Sequence, residues 1–311
     1  IYIFGLLFDF TNESTVLKMS FKFVDLFAGI GGFHVALHNL GVKCVASCEI
    51  DKYARQTYEH NFKKICPDLF SSDQFYDDIE QIIPTELPEY DILCAGFPCQ
   101  PFSQAGYKKG FQEDKDNRGN MFFEVLRLLT ENKPRAFFLE NVRHLIKHDE
   151  GRTFETIEKC IKNLGYSFNP KVVKASDFNL PQHRPRVFMV GFSEDVKHRD
   201  IFKFPEPIEN TYFMSDVFGE PCNKSIGYTL RVGGKSSGIN DRRNWDMYMV
   251  NGRIRKLTSV EGIKMNGFPE DFTFPVSETQ AMKQLGNSVA VNAVQAVGAE
   301  ILKVLTHDKK G

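Results

Sequence analysis

The sequence predicts an α/β fold: a doubly wound, mostly parallel sheet with a second, smaller, loop-rich domain. Three observations lead there. Apolar runs of strand length alternate with amphipathic helical stretches over the first two thirds of the chain, a Gly-rich turn closes the first run, and after Phe192 the alternation stops. From about residue 193 to 279 the chain is instead rich in Gly, Pro, Asn and Ser, with short strand-like pieces and no long helical period.

Taken in order, FKFVDLF reads as a buried strand and GFHVALHNL as the helix after it. VKCVASCEI and DKYARQTYEHNF form the next strand and helix, then YDILCAGF and NMFFEVLRLLTEN, then RAFFLENV and RTFETIEKCIKNLG, and PRVFMVGF closes the series as a strand. Parallel neighbours need crossover helices, so this alternation places helices on both faces of one sheet. The helical ETQAMKQLGNSVAVNAVQAVGAEILKVL, broken near its middle at Gly-Asn, is expected to pack back on the first domain. The divisions expected are 1–18 outside the functional domain, 19–192 catalytic and cofactor-binding, 193–279 the smaller domain, and 280–306 the returning helix. The first rests on a chain that begins with Ile and has its first Met at position 19.

Composition narrows the class. At 311 residues the chain can bury one large core, or a large one with a smaller partner, and 42% hydrophobic with 25% charged residues is the usage of a soluble globular protein. No run approaches the roughly 18 consecutive apolar residues of a membrane span, and IYIFGLLF lacks the flanks of a signal peptide, so no membrane partner is expected. Seven cysteines, an odd number without C-x-x-C, argue against a disulfide framework and a structural zinc site; no metal and a reducing cytoplasm are the expectations. The net charge of −1 says nothing of a polyanion. Between Pro221 and Lys256, however, eight basic residues (Lys224, Arg231, Lys235, Arg242, Arg243, Arg253, Arg255, Lys256) face two acids, Asp241 and Asp246. That excess suits phosphate or, equally, a solvated loop face.

Four motifs carry chemistry. DLFAGIGG, Asp25 to Gly32, runs a strand through a Gly-rich turn into a helix, where open parallel sheets bind nucleotide-like ligands; the same turn also serves tight strand-to-helix packing. Glu49, twenty residues after Gly29, could accept hydrogen bonds from ribose hydroxyls. His34 replaces the third Gly of a dinucleotide loop, which favours a ribosyl ligand without pyrophosphate, such as S-adenosylmethionine. In GFPCQPFSQAG, Cys99 follows the carboxyl end of a predicted strand and opens a long polar loop, unlike Cys44, Cys94 and Cys160, which lie within apolar segments. FFLENV ends a buried strand in Glu140 and Asn141, an acid that must be paired or working. In PQHRPRVFMVG, Arg184 and Arg186 have the spacing that puts both on one strand face, able to grip an anion or keep a thiol ionised, or simply to be surface charge.

In sequence, DLFAGIGGF, GFPCQPFS, ENV, QHRPRVFMVG, RKLTSVEGIKMNGFP and QLGNSVAVNAV resemble the blocks of the DNA (cytosine-5) methyltransferases, especially the compact bacterial modification enzymes, over roughly Phe21 to Val304. The resemblance implies a Rossmann-like, S-adenosylmethionine-dependent catalytic domain and a target-recognition domain over 193–279. It implies that Cys99 adds to C6 of a flipped cytosine in duplex DNA so that C5 takes the methyl group, that Glu140 contacts N3 and the exocyclic amine, and that Arg184 and Arg186 steady nucleotide and thiolate. It assigns the cofactor to Phe27, Ala28, Gly29, Ile30, Gly31, Gly32, Glu49, Ile50, Asp78, Ile79, Asn287, Ser288 and Val289. DNA contacts are expected from Arg231, Gly233, Gly234, Lys235, Arg242 and Arg243. A bacterial, cytoplasmic monomer is implied, with a restriction endonuclease as a cognate partner that need not touch it. The alternatives are a tRNA cytosine-5 methyltransferase on the same fold, against which Ser103 stands where that branch tends to have Thr, and a non-catalytic DNA-binding relative.

Overall fold

A computed structural model describes residues 21–98, 121–233 and 237–310. Nine strands and nine α-helices occur among them. Seven strands form one sheet in the order β3-β2-β1-β4-β5-β7-β6: β1 (Lys22–Leu26), β2 (Lys43–Cys48), β3 (Phe75–Tyr76), β4 (Ile92–Ala95), β5 (Ala136–Val142), β6 (Asn169–Lys174) and β7 (Pro185–Phe192). Strands β3 to β5 are mutually parallel through β2, β1 and β4, whereas β7 runs antiparallel to both β5 and β6.

Strand side chains alternate, so two cores form. Phe23, Cys44, Ile92 and Phe138 point to one face, under α1 (Gly32–His38), α2 (Lys52–Phe62) and the C-terminal α9 (Val291–Lys310). Val24, Leu26, Ala46, Leu93 and Leu139 point to the other, under α4 (Met121–Asn132) and α5 (Arg152–Asn163). Strands covered on both faces read as near-continuous apolar runs, and β4 is buried at all four positions. The doubly wound, mostly parallel sheet is thus present.

Two strands of this sheet, β3 and β6, carry no sequence signal of their own. β3 has only two residues, and the edge strand β6 buries Val173 alone among NPKVVK, too little apolar patterning to register. A small helix α3 (Pro67–Ser71) lies between β2 and β3.

Beyond β7 come α6 (Met214–Phe218), the antiparallel pair β8 (Met247–Val250) and β9 (Arg253–Lys256), and α7 (Ser259–Asn266). Their apolar residues, including Met214, Trp245, Tyr248 and Met265, join the same core as α1 and α9. The expected helix over 278–305 is two, α8 (Glu278–Asn287) and α9, parted at Ser288 to Ala290. α8 rests on α2 through Lys283–Asp51 at 3.0 Å and Thr57–Gln284 at 2.9 Å, and Asp51 also caps α2 through the amides of Tyr53 and Ala54.

Candidate active site

At the carboxyl end of the sheet, β5 brings Glu140 and Asn141 alongside the chain leaving β4. The Asn141 Nδ2 donates to the Phe97 carbonyl at 2.8 Å, and its Oδ1 accepts from the Val142 amide at 2.8 Å. A Cβ at Gly96 would stand 3.7 Å from Glu140 Oε2. The segment Gly96 to Pro98 therefore runs beside the acid and amide of the E-N-V block. Cys99 is the next residue; it and Ser103 lie outside the described residues, as do Gly234, Lys235 and residues 1–18.

Glu140 is buried and accepts from Arg186 Nε at 2.9 Å. Burial raises its pKa, while Arg186 and, less directly, Arg184 hold it down. Cross-strand register explains the meeting: Val142 pairs with Arg186 and Glu140 with Phe188 on antiparallel β7.

Arg184 does something else. It precedes β7, is 1% exposed, and spends its guanidinium on backbone: Nη1 donates to the Leu230 carbonyl at 3.2 Å, and Nη2 to the carbonyls of Gly286, at 3.0 Å, and Ser288. The two arginines thus have different partners. Burial and the neighbouring charge of Arg186 push Arg184 down to about 9, so it is still a cation at neutral pH. Its Nε is buried without a partner among the described residues. Gln182, the first letter of Q-x-R-x-R and not singled out from sequence, completes the junction. Its Oε1 accepts from the Leu230 amide at 2.9 Å, and its Nε2 donates to the Met265 carbonyl at 3.1 Å and to Asn266 Oδ1 at 2.8 Å.

The Gly-rich turn sits at the end of β1. Phe27 is half-buried with φ of 55°, a left-handed conformation that a bulky residue adopts only where its surroundings enforce it. Glu49, at the end of β2, holds the turn: Oε2 accepts from the Gly29 amide at 2.7 Å and Oε1 from the Asp51 amide at 2.7 Å. Burial raises its pKa and these amides oppose the rise. Beside it Ile50 is 74% exposed. An acceptor carboxylate next to an uncovered apolar side chain suits a ribosyl ligand with a flat base. Gly32 meets the Ser288–Val289 turn so closely that a Cβ there would fall 2.5 Å from Val289 Cγ2, which joins the first and last sequence blocks. Ala28, Ile30 and Ile79 have buried side chains, so what they can offer a ligand is backbone, and Gly31 accepts no ligand through a side chain either. Asp78 caps the short turn after it by accepting from the Glu80 amide at 3.0 Å; Asn287 is exposed. Asp25, within the same motif, is fully buried with both oxygens unpartnered among the described residues, and burial pushes its carboxyl well up.

The basic segment is less positive than its sequence window indicates. Arg243 pairs with Asp241 at 2.8 Å, Arg255 with Glu220 at 2.9 Å and Glu261 at 3.2 Å, and Lys256 with Asp246 at 3.7 Å. Two of those acids, Glu220 and Glu261, lie outside the window counted. Arg231, Arg242 and Arg253 are exposed. Gly233 has open space where a Cβ would be, and its carbonyl accepts from Trp245 Nε1 at 3.0 Å.

A family model described as C-5 cytosine-specific DNA methylase matches residues 21–232 and 229–303. The Type II methyltransferase M1.ScrFI of Lactococcus lactis subsp. cremoris is 38% identical, covering 97% of this chain and 82% of that protein. M.HhaI of Haemophilus parahaemolyticus is 35% identical over 90% of this chain and 94% of its own length. Among solved structures, S. pombe Dnmt2 has a TM-score of 0.65 at 21% identity, covering 92% of this chain and 99% of that one. A putative DNA modification methyltransferase encoded within a prophage, from E. coli, has a TM-score of 0.67 at 18% identity, covering 92% and 100%. At these identities the two structures speak to the fold alone.

Proposed function

The chain belongs to the C-5 cytosine-specific DNA methylase family and is a DNA (cytosine-5-)-methyltransferase, and from that premise we propose that it works on a flipped-out cytosine through a covalent Cys99–C6 adduct, with S-adenosylmethionine as methyl donor. The observation that carries the reading is the bond from Asn141 to the Phe97 carbonyl. It ties the strand bearing Glu140 to the segment that leads into Cys99.

S-adenosylmethionine would supply an electrophilic methyl group. Phe27, Ile50 and the backbone of Ala28 to Gly32 would seat it, with Glu49 as acceptor for the ribose; Asp78, Ile79 and Asn287 to Val289 would complete the wall. The stacked ring face is closed to a nucleophile, so the base leaves the duplex at a cost of about a few kcal/mol. The Cys99 sulfur then adds to C6 of the cytosine, and electron density moves to C5. Glu140, whose burial favours its protonated form, donates to N3 of the ring and eases that addition. After methylation the C5 proton leaves to a base, and the C6–S bond breaks with restoration of the ring double bond. Arg186 positions Glu140, and Arg184 acts behind it by tying the carbonyls of Leu230, Gly286 and Ser288 to the start of the same strand.

Residues 19–192 with 280–306 form the catalytic part in this reading, and 193–279 the part that recognises the duplex. Arg231, Arg242 and Arg253 would meet phosphates, and Gly233, Gly234, Lys235 and Arg243 are proposed as further DNA contacts. The Type II names of the relatives support a place in a restriction-modification system. In this proposal the chain acts as a monomer, and a cognate restriction endonuclease need not touch it.

Bisulfite sequencing of a plasmid incubated with the purified protein and S-adenosylmethionine tests the reading and reveals the target. Protected cytosines in one recurrent sequence are expected. Cys99→Ala should lose methyl transfer by about three orders of magnitude or more while still binding the cofactor by calorimetry; full turnover in that variant would remove the adduct from the mechanism.

A further inference from the structure

The fold assembles a group of side chains that the methylation chemistry leaves unused. His34 and His38 lie one turn apart on α1, on the same side of the helix, and Cys66 stands just ahead of α3. Their ligand atoms all lie within 4.8 Å of one another, the one such group of three among the described residues. His38 and Cys66 line a cleft of about 280 Å³ whose walls include Cys44, Ile65 and Asp68.

We propose that His34, His38 and Cys66 form a binding site for a soft divalent cation of the Zn2+ type, with the fourth coordination position open to the cleft.

Geometry is the first support. Zn–S and Zn–N bonds of about 2.3 and 2.05 Å at a tetrahedral angle separate the two ligand atoms by about 3.5 Å. Cys66 Sγ lies 3.4 Å from His34 Nε2. A direct thiol-to-imidazole hydrogen bond gives that distance too, but it leaves unexplained why His38 and an open cleft converge on the same point.

Orientation is the second. The His34 Nδ1 is 2.6 Å from the Tyr58 hydroxyl, and its ring is stacked on Phe62 at 4.1 Å between centroids. Engaging Nδ1 leaves Nε2 as the nitrogen turned towards Cys66, the arrangement in which an outer hydrogen bond fixes a metal-binding histidine. His38 is exposed, and its ring nitrogen lies within 4.8 Å of the other two ligand atoms. Thiolate with two imidazoles favours Zn2+ over the oxygen-seeking Mg2+ or Ca2+. Binding releases the Cys66 proton to solvent. The ion would clamp α1, which issues from the Gly-rich turn, to α3.

The absence of C-x-x-C gives no hint of such a site, because the ligands come from segments separated by about thirty residues and meet only when α1 and α3 pack.

The test uses the full chain, stripped with chelator and titrated with Zn2+ and then Co2+. One equivalent should bind, the Co2+ form should show thiolate charge-transfer and tetrahedral d–d absorption, and His38→Gln should weaken binding by about tenfold or more. That variant changes an exposed residue and keeps every thiol, so competition from other cysteines is the same in both proteins. Mass-spectrometric mapping of iodoacetamide alkylation should find Cys66 protected by Zn2+ in wild type and not in His38→Gln. Equal affinity in the two proteins, no binding by wild type, or protection of other cysteines with Cys66 still alkylated would each overturn the proposal.

Discussion

Asn141 holds the backbone carbonyl of Phe97 at 2.8 Å, two residues ahead of Cys99, from the position next to Glu140. A single amide thus couples two sequence blocks separated by more than forty residues. Asn141→Ala leaves that buried carbonyl without its donor, and should lower stability by about 1–3 kcal/mol. Because the loop entering the Cys99 segment is no longer fixed, kcat should fall while the calorimetric affinity for S-adenosylmethionine is unchanged. Equal losses in both would mean that the amide serves only the fold.

The Arg186–Glu140 pair predicts a response to pH with a defined sign. Burial raises the Glu140 pKa and Arg186 lowers it, so Arg186→Ala must move it further up. The carboxyl then keeps its proton to higher pH. In a pH profile of kcat/KM, the limb set by Glu140 protonation should shift to the alkaline side, on whatever residual rate remains. Stranding a buried carboxylate should also cost about 3–5 kcal/mol near neutral pH. Glu140→Gln in the same chain should recover much of that stability without recovering activity, as denaturant titration can check.

Among the arginines of the basic segment, Arg242 and Arg243 should behave differently. Both are exposed, but Arg243 is engaged by Asp241 at 2.8 Å. Arg242→Ala should weaken DNA binding and reduce the slope of log affinity against log salt by about one. Arg243→Ala should change the slope less, because the charge removed is already offset. Fluorescence anisotropy over a salt series distinguishes them, and equal slopes would assign both to phosphate.

Burial, with His38 adding to it, pushes His34 down to about 3 from an ordinary 6.5. The ring is neutral in the fold and charges on unfolding, so the unfolded chain binds the extra proton between these values, and stability falls as pH drops through that window. At its lower end the loss is about 4 kcal/mol at most. In chelator-containing buffer, wild type should lose stability relative to His34→Gln on going from neutral pH to about pH 4; parallel curves would show that the ring titrates normally.

Much of this was legible in the sequence for a simple physical reason. Strands buried on both faces announce themselves as apolar runs, and FKFVDLF, YDILCAGF and FFLENV each lie where β1, β4 and β5 form. The edge strand β6 did not, since only Val173 turns inward. Glu140 stood out as an acid at the end of a buried strand. Its partner did not, because spacing along β7 says nothing of the antiparallel register that brings Arg186 across from Val142. Arg184 looked like the twin of Arg186, yet its carbonyl partners at Leu230, Gly286 and Ser288 lie far along the chain. The charge count over 221–256 overstated the positive field because Glu220 and Glu261 reach in from beyond it.

The close passage of backbone at Gly286 has a consequence for engineering. A Cβ there would fall 2.6 Å from the Arg231 carbonyl carbon, and Gln182 and Arg184 bond the backbone of the preceding Leu230. A chimaera that imports a foreign specificity segment must therefore keep the donor's path through 230–232 compatible with the host's α8, and splice points inside that clasp should give misfolded hybrids whatever target the insert was chosen to read.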